Sequence, residues 1–243
     1  MNEVAIIPLA NLLLGFLPVI LLIGIMKLWG LNALQPIYAN FRMLIQLLLI
    51  GYVLTYIFET DQPIIILLVI LFMILMSSWI ALRPLQERGI KAFLVVVASL
   101  GLSGLAVLFL ISQFIVELPR WFEPSFIIPI AGMIFANSMN TVSLAGERLF
   151  TEQERGKNYH EARKIALETA MIPQINALLA VGLVSLPGMM TGQILSGIEP
   201  LTAARYQIMV MCMIFSTAGL SAVTYMSFKR NLQQISNKEF QNQ

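Results

Sequence analysis

The chain consists of long apolar runs joined by short polar connections. The runs are continuous over about 16–25 residues instead of alternating with polar positions, which is the pattern of membrane-spanning helices. The pattern predicts seven spanning segments, at approximately 8–28, 43–58, 63–82, 91–116, 126–144, 170–186 and 206–228. The predicted fold is therefore an all-α, polytopic membrane protein, with residues 1–243 forming a single transmembrane domain.

Composition supports a membrane protein and excludes several kinds of site. Of the 243 residues, 58% are apolar and 12% are charged, whereas a soluble domain has about 25% charged residues. Such a chain needs the lipid bilayer as its solvent, with backbone amides satisfied inside helices. The single cysteine, Cys212, excludes an internal disulfide, and the single histidine, His160, excludes a histidine cluster within one chain. The net charge of +2 gives no reason to expect a nucleic acid as partner.

The distribution of basic residues predicts an orientation. Nearly all of the 15 lysines and arginines fall in alternate connections between the predicted segments, the exceptions being Arg120 and Arg205. Basic residues concentrate on the cytoplasmic side of membrane proteins. We therefore expect the N-terminus outside and the C-terminus in the cytoplasm. An even number of segments would spoil the asymmetry, so the distribution also favours seven.

Residues 147–168 form the only long hydrophilic run in the interior of the chain. The pattern predicts that the fifth helix continues into the cytoplasm, turns at Gly156 and is followed by a second helix with Asn158 as its N-cap. Glu161 stands three residues after Asn158, which is the spacing of a capping box. Tyr159 and Ala162 share one face of this second helix with two further apolar residues.

Two roles fit this short helix. It can lie on the lipid headgroups as an amphipathic helix, or it can dock a cytoplasmic partner. Docking is favoured because the loop is the longest on the inner side, has mixed charge and leads directly into an interrupted apolar segment. The predicted partner contacts are Asn158, Tyr159, Glu161, Ala162 and Arg163.

The interrupted segment contains Pro187 between apolar neighbours. Proline has no amide hydrogen, so within a helix the carbonyl of Leu183 would lose its usual partner, and Gly182 and Gly188 permit bending. Broken helices in transporters mark substrate sites, so Gly182, Pro187 and Gly188 are candidate gate residues. In the alternative interpretation, Pro187 only ends the helix near the outer interface.

A second candidate site is a set of polar residues inside apolar segments. Asn137 and Asn140 share a helix face with Thr141, and Asn176 follows in the next segment near Gln174. Such side chains often hydrogen-bond between helices, or together they line a polar path. The candidate path residues are Asn137, Asn140, Asn176, Met189 and Met190, the two methionines being soft ligands, gate residues or packing. Metal ligands are not assigned.

The chain lacks the sequence signatures of catalysis. It has no Gly-x-x-x-x-Gly-Lys-Ser/Thr phosphate loop, no His-Glu-x-x-His and no Gly-x-Ser-x-Gly. We therefore predict a non-enzyme that binds no cofactor itself.

The run Gly182-Leu183-Val184-Ser185-Leu186-Pro187-Gly188-Met189-Met190-Thr191-Gly192 resembles the FetB-like family of iron-export permeases, which are membrane subunits of ABC transporters. Shorter matches follow in the family's order: Ile45-Gln46-Leu47, Gly51-Tyr52-Val53-Leu54, Pro129-Ile130-Ala131-Gly132-Met133 with Asn137, Ala170-Met171-Ile172-Pro173, and Tyr206-Gln207-Ile208.

The resemblance implies an inner-membrane permease that pairs with a separate P-loop ATPase subunit, which would hold the ATP. It implies an assembly of two permeases and two ATPases, with residues 158–166 as the coupling helix. Bacterial members are linked to iron efflux and plant relatives to aluminium tolerance, so the family does not fix one substrate. Export of another metal complex or a nucleotide sugar, and ion-coupled secondary transport, remain alternatives.

The sequence departs from the family at two positions. An acidic residue often stands where this chain has Asn176, and a basic residue often stands where it has Leu179, about one turn apart. If the acidic residue binds metal, iron transport by this chain is in question. If the two charges only pair with each other, replacing both together should have only a mild effect.

Overall fold

The computed structural model describes residues 8–59, 62–86 and 89–241. In these residues the regular structure is helical apart from one isolated bridge between Val181 and Ser185. The chain divides into two compact units, residues 1–60 and 61–243. The prediction of a single domain over residues 1–243 stays a prediction.

The first unit contains helices α1 Leu9–Leu14, α2 Leu17–Leu28 and α3 Leu34–Phe58. Helix α2 carries a proline in its first turn, the position where its missing amide hydrogen costs no helical bond. The side chain of Asn32 accepts a hydrogen bond at 3.0 Å from the amide of Leu34, the first residue of α3.

The second unit contains α4 Pro63–Ala81, α5 Ile90–Leu110 with a π-helical turn Ile111–Ile115, α6 Pro124–Glu154, α7 Tyr159–Ala180, α8 Gly188–Leu195 and α9 Pro200–Gln241. Its central helix is α6. Helix α6 contacts α4, α5, α7 and α9, and α8 packs on α9. Ala145, Ala170 and Ala222 meet where α6, α7 and α9 pack together, since small side chains let helices approach closely.

Six helices in the described residues are long and apolar enough to cross a membrane. They are Asn11–Leu28, Leu34–Phe58, Pro63–Ala81, Ile90–Ile115, Pro124–Glu154 and Pro200–Asn231. The prediction of an all-α, multi-pass membrane protein is confirmed. The count of seven spanning segments and the orientation stay predictions.

The prediction of a continuous apolar helix over 170–186 is wrong. Helix α7 begins in the hydrophilic run at Tyr159 and ends at Ala180. After Val181 the chain leaves the helix because Gly182 adopts a φ of +80°, which favours glycine. Apolarity continues through this break, so the pattern of apolar residues did not reveal it.

Gly146 on α6 marks a close approach that a substitution can test. A methyl group there would lie 2.5 Å from Leu85 Cδ2 and 3.0 Å from the ring of Tyr225, and both side chains are buried. Gly146→Ala should destabilise the protein by about 1–3 kcal/mol through overpacking. In detergent the Tm should fall by about 2–4 °C per kcal/mol.

Gly132→Ala on the same helix is the matched control. Its methyl group would make an ordinary contact with Met73 Cε at 3.5 Å, and alanine favours a helix by about 1 kcal/mol over glycine. We expect an unchanged or higher Tm. Equal Tm values for the two variants would contradict the tight contact at Gly146.

Candidate functional site

A polar cleft of about 460 Å³ lies between α6 and α7. Its walls combine amide, hydroxyl and apolar side chains. The lining residues are Asn137, Asn140, Thr141, Ser143, Leu144, Pro173, Gln174 and Ala177. The structure therefore brings the predicted path residues Asn137 and Asn140 together with Gln174 in one site.

An amide pair joins the two helices at this cleft. Gln174 is buried, and its Nε2 donates to Asn137 Oδ1 at 3.3 Å. Asn137 Nδ2 donates to the carbonyl of Met133 at 2.8 Å, and Thr141 Oγ1 donates to the carbonyl of Asn137 at 3.0 Å. Asn137 thus connects the helices and lines the cleft, while Asn140 is exposed.

Pro173 places a second backbone irregularity at the cleft. It lies inside α7 and has no amide hydrogen, so the carbonyl of Thr169 lacks its helical donor. Freed carbonyls at membrane depth are tolerated where they line a cavity or pack in protein. Pro173 belongs to the run Ala170-Met171-Ile172-Pro173, and its effect on the helix was not predicted.

The other predicted path residues lie elsewhere. Asn176 is exposed on α7, and a spacing of two residues puts it on a different face from Gln174. Met189 and Met190 lie half-buried on α8. The five residues that were predicted to line one path therefore lie on three separate surfaces.

The helix breaks at Gly182, one of the three predicted break residues, and not at Pro187. The amides of Leu183, Val184 and Ser185 all point to the carbonyl of Ala180, at 3.2, 2.8 and 3.2 Å. Pro187 lies beyond this loop as the N-cap of α8. The assignment of the break to Pro187 and the Leu183 carbonyl is therefore corrected: the break starts at Val181 and Gly182. The tip of the loop is apolar, with Leu183 89% and Val184 86% exposed.

The turn between α6 and α7 follows the prediction. Helix α6 continues to Glu154, and Gly156 makes the turn with a φ of +84°. Asn158 caps α7, because its side-chain oxygen accepts a hydrogen bond from the amide of Glu161 at 3.0 Å.

Buried Glu152 is the centre of this turn and was not among the predicted site residues. Its side chain is 0% exposed, with Arg148 Nη2 at 2.9 Å and Arg155 Nη1 at 3.0 Å from Oε1. Lys157 Nζ lies 2.5 Å from Oε2, and the amide of Lys157 donates to the carbonyl of Glu152 at 3.2 Å. The spacing of Arg148 and Arg155 by four and three residues was the available signal.

The first turns of α7 pack against the rest of the second unit. The hydroxyl of Tyr159 donates to the carbonyl of Met226 on α9 at 2.6 Å, and the guanidinium of Arg230 lies 5.3 Å from its ring centre. Burial raises the pKa of the Tyr159 phenol, against the opposing effect of Arg163 and Arg230. The apolar face of this helix is therefore covered by the protein itself.

This packing divides the five predicted partner contacts. Ala162 is fully buried in a cluster with Leu85, Leu149 and Met226, so a partner cannot touch its side chain. Tyr159 is half-buried against α9. Asn158, Glu161 and Arg163 are exposed.

Six long apolar helices, an amide-lined cleft between α6 and α7 and a charged turn define the described part of the chain as a multi-pass α-helical membrane protein. The chain belongs to the uncharacterised protein family UPF0014, whose family model matches residues 9–163 and 153–232. The resemblance to FetB-like permeases is thereby confirmed at the level of the family.

Three relatives illustrate the spread of the family. The chain is 34% identical to UPF0014 membrane protein slr1647 of Synechocystis, over 88% of this chain and 90% of the relative. It is 37% identical to the probable iron export permease protein FetB of Escherichia coli, over 80% and 81%. It is 30% identical to Protein ALUMINUM SENSITIVE 3 of Arabidopsis thaliana, over 78% and 74%. No solved structure matches the chain significantly.

The buried carboxylate can be tested by removing its charge. Glu152→Gln should lower the Tm in detergent, because three cations then meet at a neutral amide. Glu154→Gln is the matched control, since Glu154 ends the same helix with an exposed side chain. Its Tm should stay close to that of the wild type. Equal Tm values for the two variants would show that the turn does not depend on Glu152.

The cleft can be tested by comparing its two asparagines. Asn137→Leu removes the interhelical amide bond, whose loss should cost about 0.6 and at most about 1.7 kcal/mol, measured by thermal unfolding. Asn140→Leu changes an exposed lining residue and should keep the Tm. If the cleft is a transport path, both variants should reduce flux in vesicles. Normal flux in the Asn140→Leu variant would indicate that the amide side chains of the cleft have only a structural role.

Proposed function

We propose that this protein is the permease subunit of an ABC transporter that exports a metal ion, with iron as the first candidate, across the cell inner membrane. ATP would be hydrolysed on a separate P-loop ATPase subunit. The relationship to a protein named as an iron export permease, over 80% of this chain, supports the proposal.

The observation that carries the proposal is the continuity of α7. Its first turn exposes Asn158 and Glu161 at the α6–α7 turn, and Gln174 further along the same helix lines the polar cleft. Tyr159 and Gln174 are about 22 Å apart along the axis at 1.5 Å per residue. A continuous helix would transmit a push on its exposed end as far as Pro173 and Gln174, where the cleft lies.

The proposed assembly follows from this arrangement. The α6–α7 turn and the C-terminus would face the cytoplasm, and the N-terminus would lie outside. Two permeases would join two ATPases, with Asn158 and Glu161 as the contact at the tip of the coupling helix. Arg163 faces a different cleft, between α7 and α9, so we assign it to the side of the helix.

The donors in the cleft suit a passing cation better than a resident one. Asn137, Asn140 and Thr141 offer neutral oxygens. The residues that the structure describes contain no cluster of three His, Cys, Asp or Glu that could hold a metal ion. Weak sites favour transport because the ion must also leave.

A different metal is the second candidate cargo. The name of the Arabidopsis relative, Protein ALUMINUM SENSITIVE 3, supports it. In this chain Asn176 and Leu179 are neutral and exposed on one face of α7. The family charges at these positions would therefore stand outside the cleft, and their loss would leave the donors of the cleft unchanged.

A pull-down tests the proposal. The tagged full-length chain, solubilised in mild detergent, should retain a P-loop ATPase in equal amount, and iron salts should stimulate ATP hydrolysis by the complex. Glu161→Lys should reduce both the retained ATPase and the export of iron from cells several-fold, because it reverses the charge at the proposed contact.

Glu154→Lys is the matched control, since Glu154 is also exposed but ends α6. It should retain the ATPase at the level of the wild type. A well-folded chain that emerges alone from several detergents would reject the ABC assignment. A complex that is stimulated by another metal and not by iron would keep the permease assignment and change the cargo.

A further inference from the structure

A second cleft, of about 500 Å³, lies between α7 and α9 near the α6–α7 turn. Arg163, Lys164 and Ser227 provide its polar wall, and Leu167, Val223 and Met226 provide its apolar wall. Its size falls within the range of about 300–1,000 Å³ that is usual for small-molecule sites. The two walls together suit a ligand with one charged and one apolar part.

Positive charge converges on the polar wall. Arg163 and Lys164 are exposed, and Arg230 adds a guanidinium that lies 5.3 Å from the ring centre of Tyr159, another lining residue. Among the described residues of α7, Glu161 and Glu168 lie outside the lining of the cleft. The local charge therefore favours an anion. The hydroxyl of Ser227 donates to the carbonyl of Val223 at 2.8 Å, so the two cations carry the recognition of the anion.

The apolar wall connects this cleft to a helix long and apolar enough to cross a membrane. Val223 and Met226 belong to the last turns of the span Pro200–Asn231, and Val223 is exposed. Leu167 continues the apolar surface onto α7. A ligand whose anion meets Arg163 and Lys164 would direct its apolar part along α9 towards the bilayer.

We propose that this cleft binds an anionic phospholipid, with the headgroup phosphate on Arg163 and Lys164 and the start of an acyl chain against Leu167, Val223 and Met226. Basic pockets between helices at the membrane surface suit anionic headgroups. Such a lipid would join the side of the coupling helix to α9, away from the tip at Asn158 and Glu161. The proposal goes beyond the transport function and does not depend on its cargo.

Native mass spectrometry of the full-length chain can test the site. The protein is purified from nanodiscs that contain equal amounts of phosphatidylglycerol and phosphatidylcholine. The wild type should retain phosphatidylglycerol selectively. The double variant Arg163→Gln, Lys164→Gln should bind it about 30-fold more weakly, which corresponds to about 2 kcal/mol, or about 1 kcal/mol per cation.

The double variant Lys91→Gln, Arg205→Gln is the matched control. It removes two exposed positive charges from α5 and from the other end of α9, and should keep the selectivity of the wild type. If the double variant does not fold, the single variant Lys164→Gln replaces it, and its affinity for phosphatidylglycerol should fall about fivefold. Selective retention by the Arg163, Lys164 variant, or equal loss in the control, would overturn the proposal.

A competition experiment separates a lipid headgroup from free phosphate. Excess inorganic phosphate should leave the retained phosphatidylglycerol in place, because phosphate alone cannot use the apolar wall. Displacement of the lipid by inorganic phosphate would overturn the lipid assignment and identify a site for a soluble phosphate. Neither readout requires an ATPase, so failure here is distinguishable from failure of the proposed transport function.

Discussion

The ion pairs of buried Glu152 determine the geometry on which the rest of the second unit depends. A carboxylate shielded from solvent is costly unless cations and donors surround it. Arg148, Arg155 and Lys157 supply three cations from both sides of the turn. The pairs with Arg148 and Arg155 fix the carboxylate at the end of α6, and opening the turn at Gly156 would separate the Lys157 pair and the bond from the Lys157 amide to the Glu152 carbonyl together.

The α6–α7 hairpin is held by strong interactions at one end and by a weak interaction at the other. Beyond the Glu152 cluster, about 22 Å along the helices, the amides of Asn137 and Gln174 make one interhelical hydrogen bond of 3.3 Å. A neutral bond of this kind between membrane helices is worth well under about 2 kcal/mol. Pro173 weakens the backbone of α7 at the same level. Movement of the hairpin would therefore open the cleft before it opens the turn.

Sequence reasoning succeeded where short-range chemistry decides the structure. The cap at Asn158 and the turn at Gly156 depend on neighbours within a few residues, and both are as predicted. The membrane class follows from the length of the apolar runs. Gly182 was one of three candidate bends, but the end of α7 at Ala180 could not be fixed in the same way, because the residues on both sides of Gly182 are apolar and composition does not determine backbone φ.

The burial of Glu152 and Ala162 shows a second limit of sequence reasoning. A charged run normally predicts a solvated surface, and residues 147–168 carry mixed charge. Here Leu85, Tyr225 and Met226 pack in one cluster with Leu149, Ala162 and Ala166 of this run. Their positions are distant in sequence, so the covering is a tertiary effect that no local pattern records. The surface of this run that a partner can contact is therefore smaller than the sequence suggested.

Packing against α9 also explains how one short helix can present two different surfaces. Tyr159 and Ala162 face inward and fix the rotation of α7 about its axis. Once this rotation is set, the spacing of the remaining residues places Glu161 at the free tip and Arg163 and Lys164 along the cleft beside α9. Because the helix is held in one orientation, an acidic tip and a basic side can stay separate within a single turn.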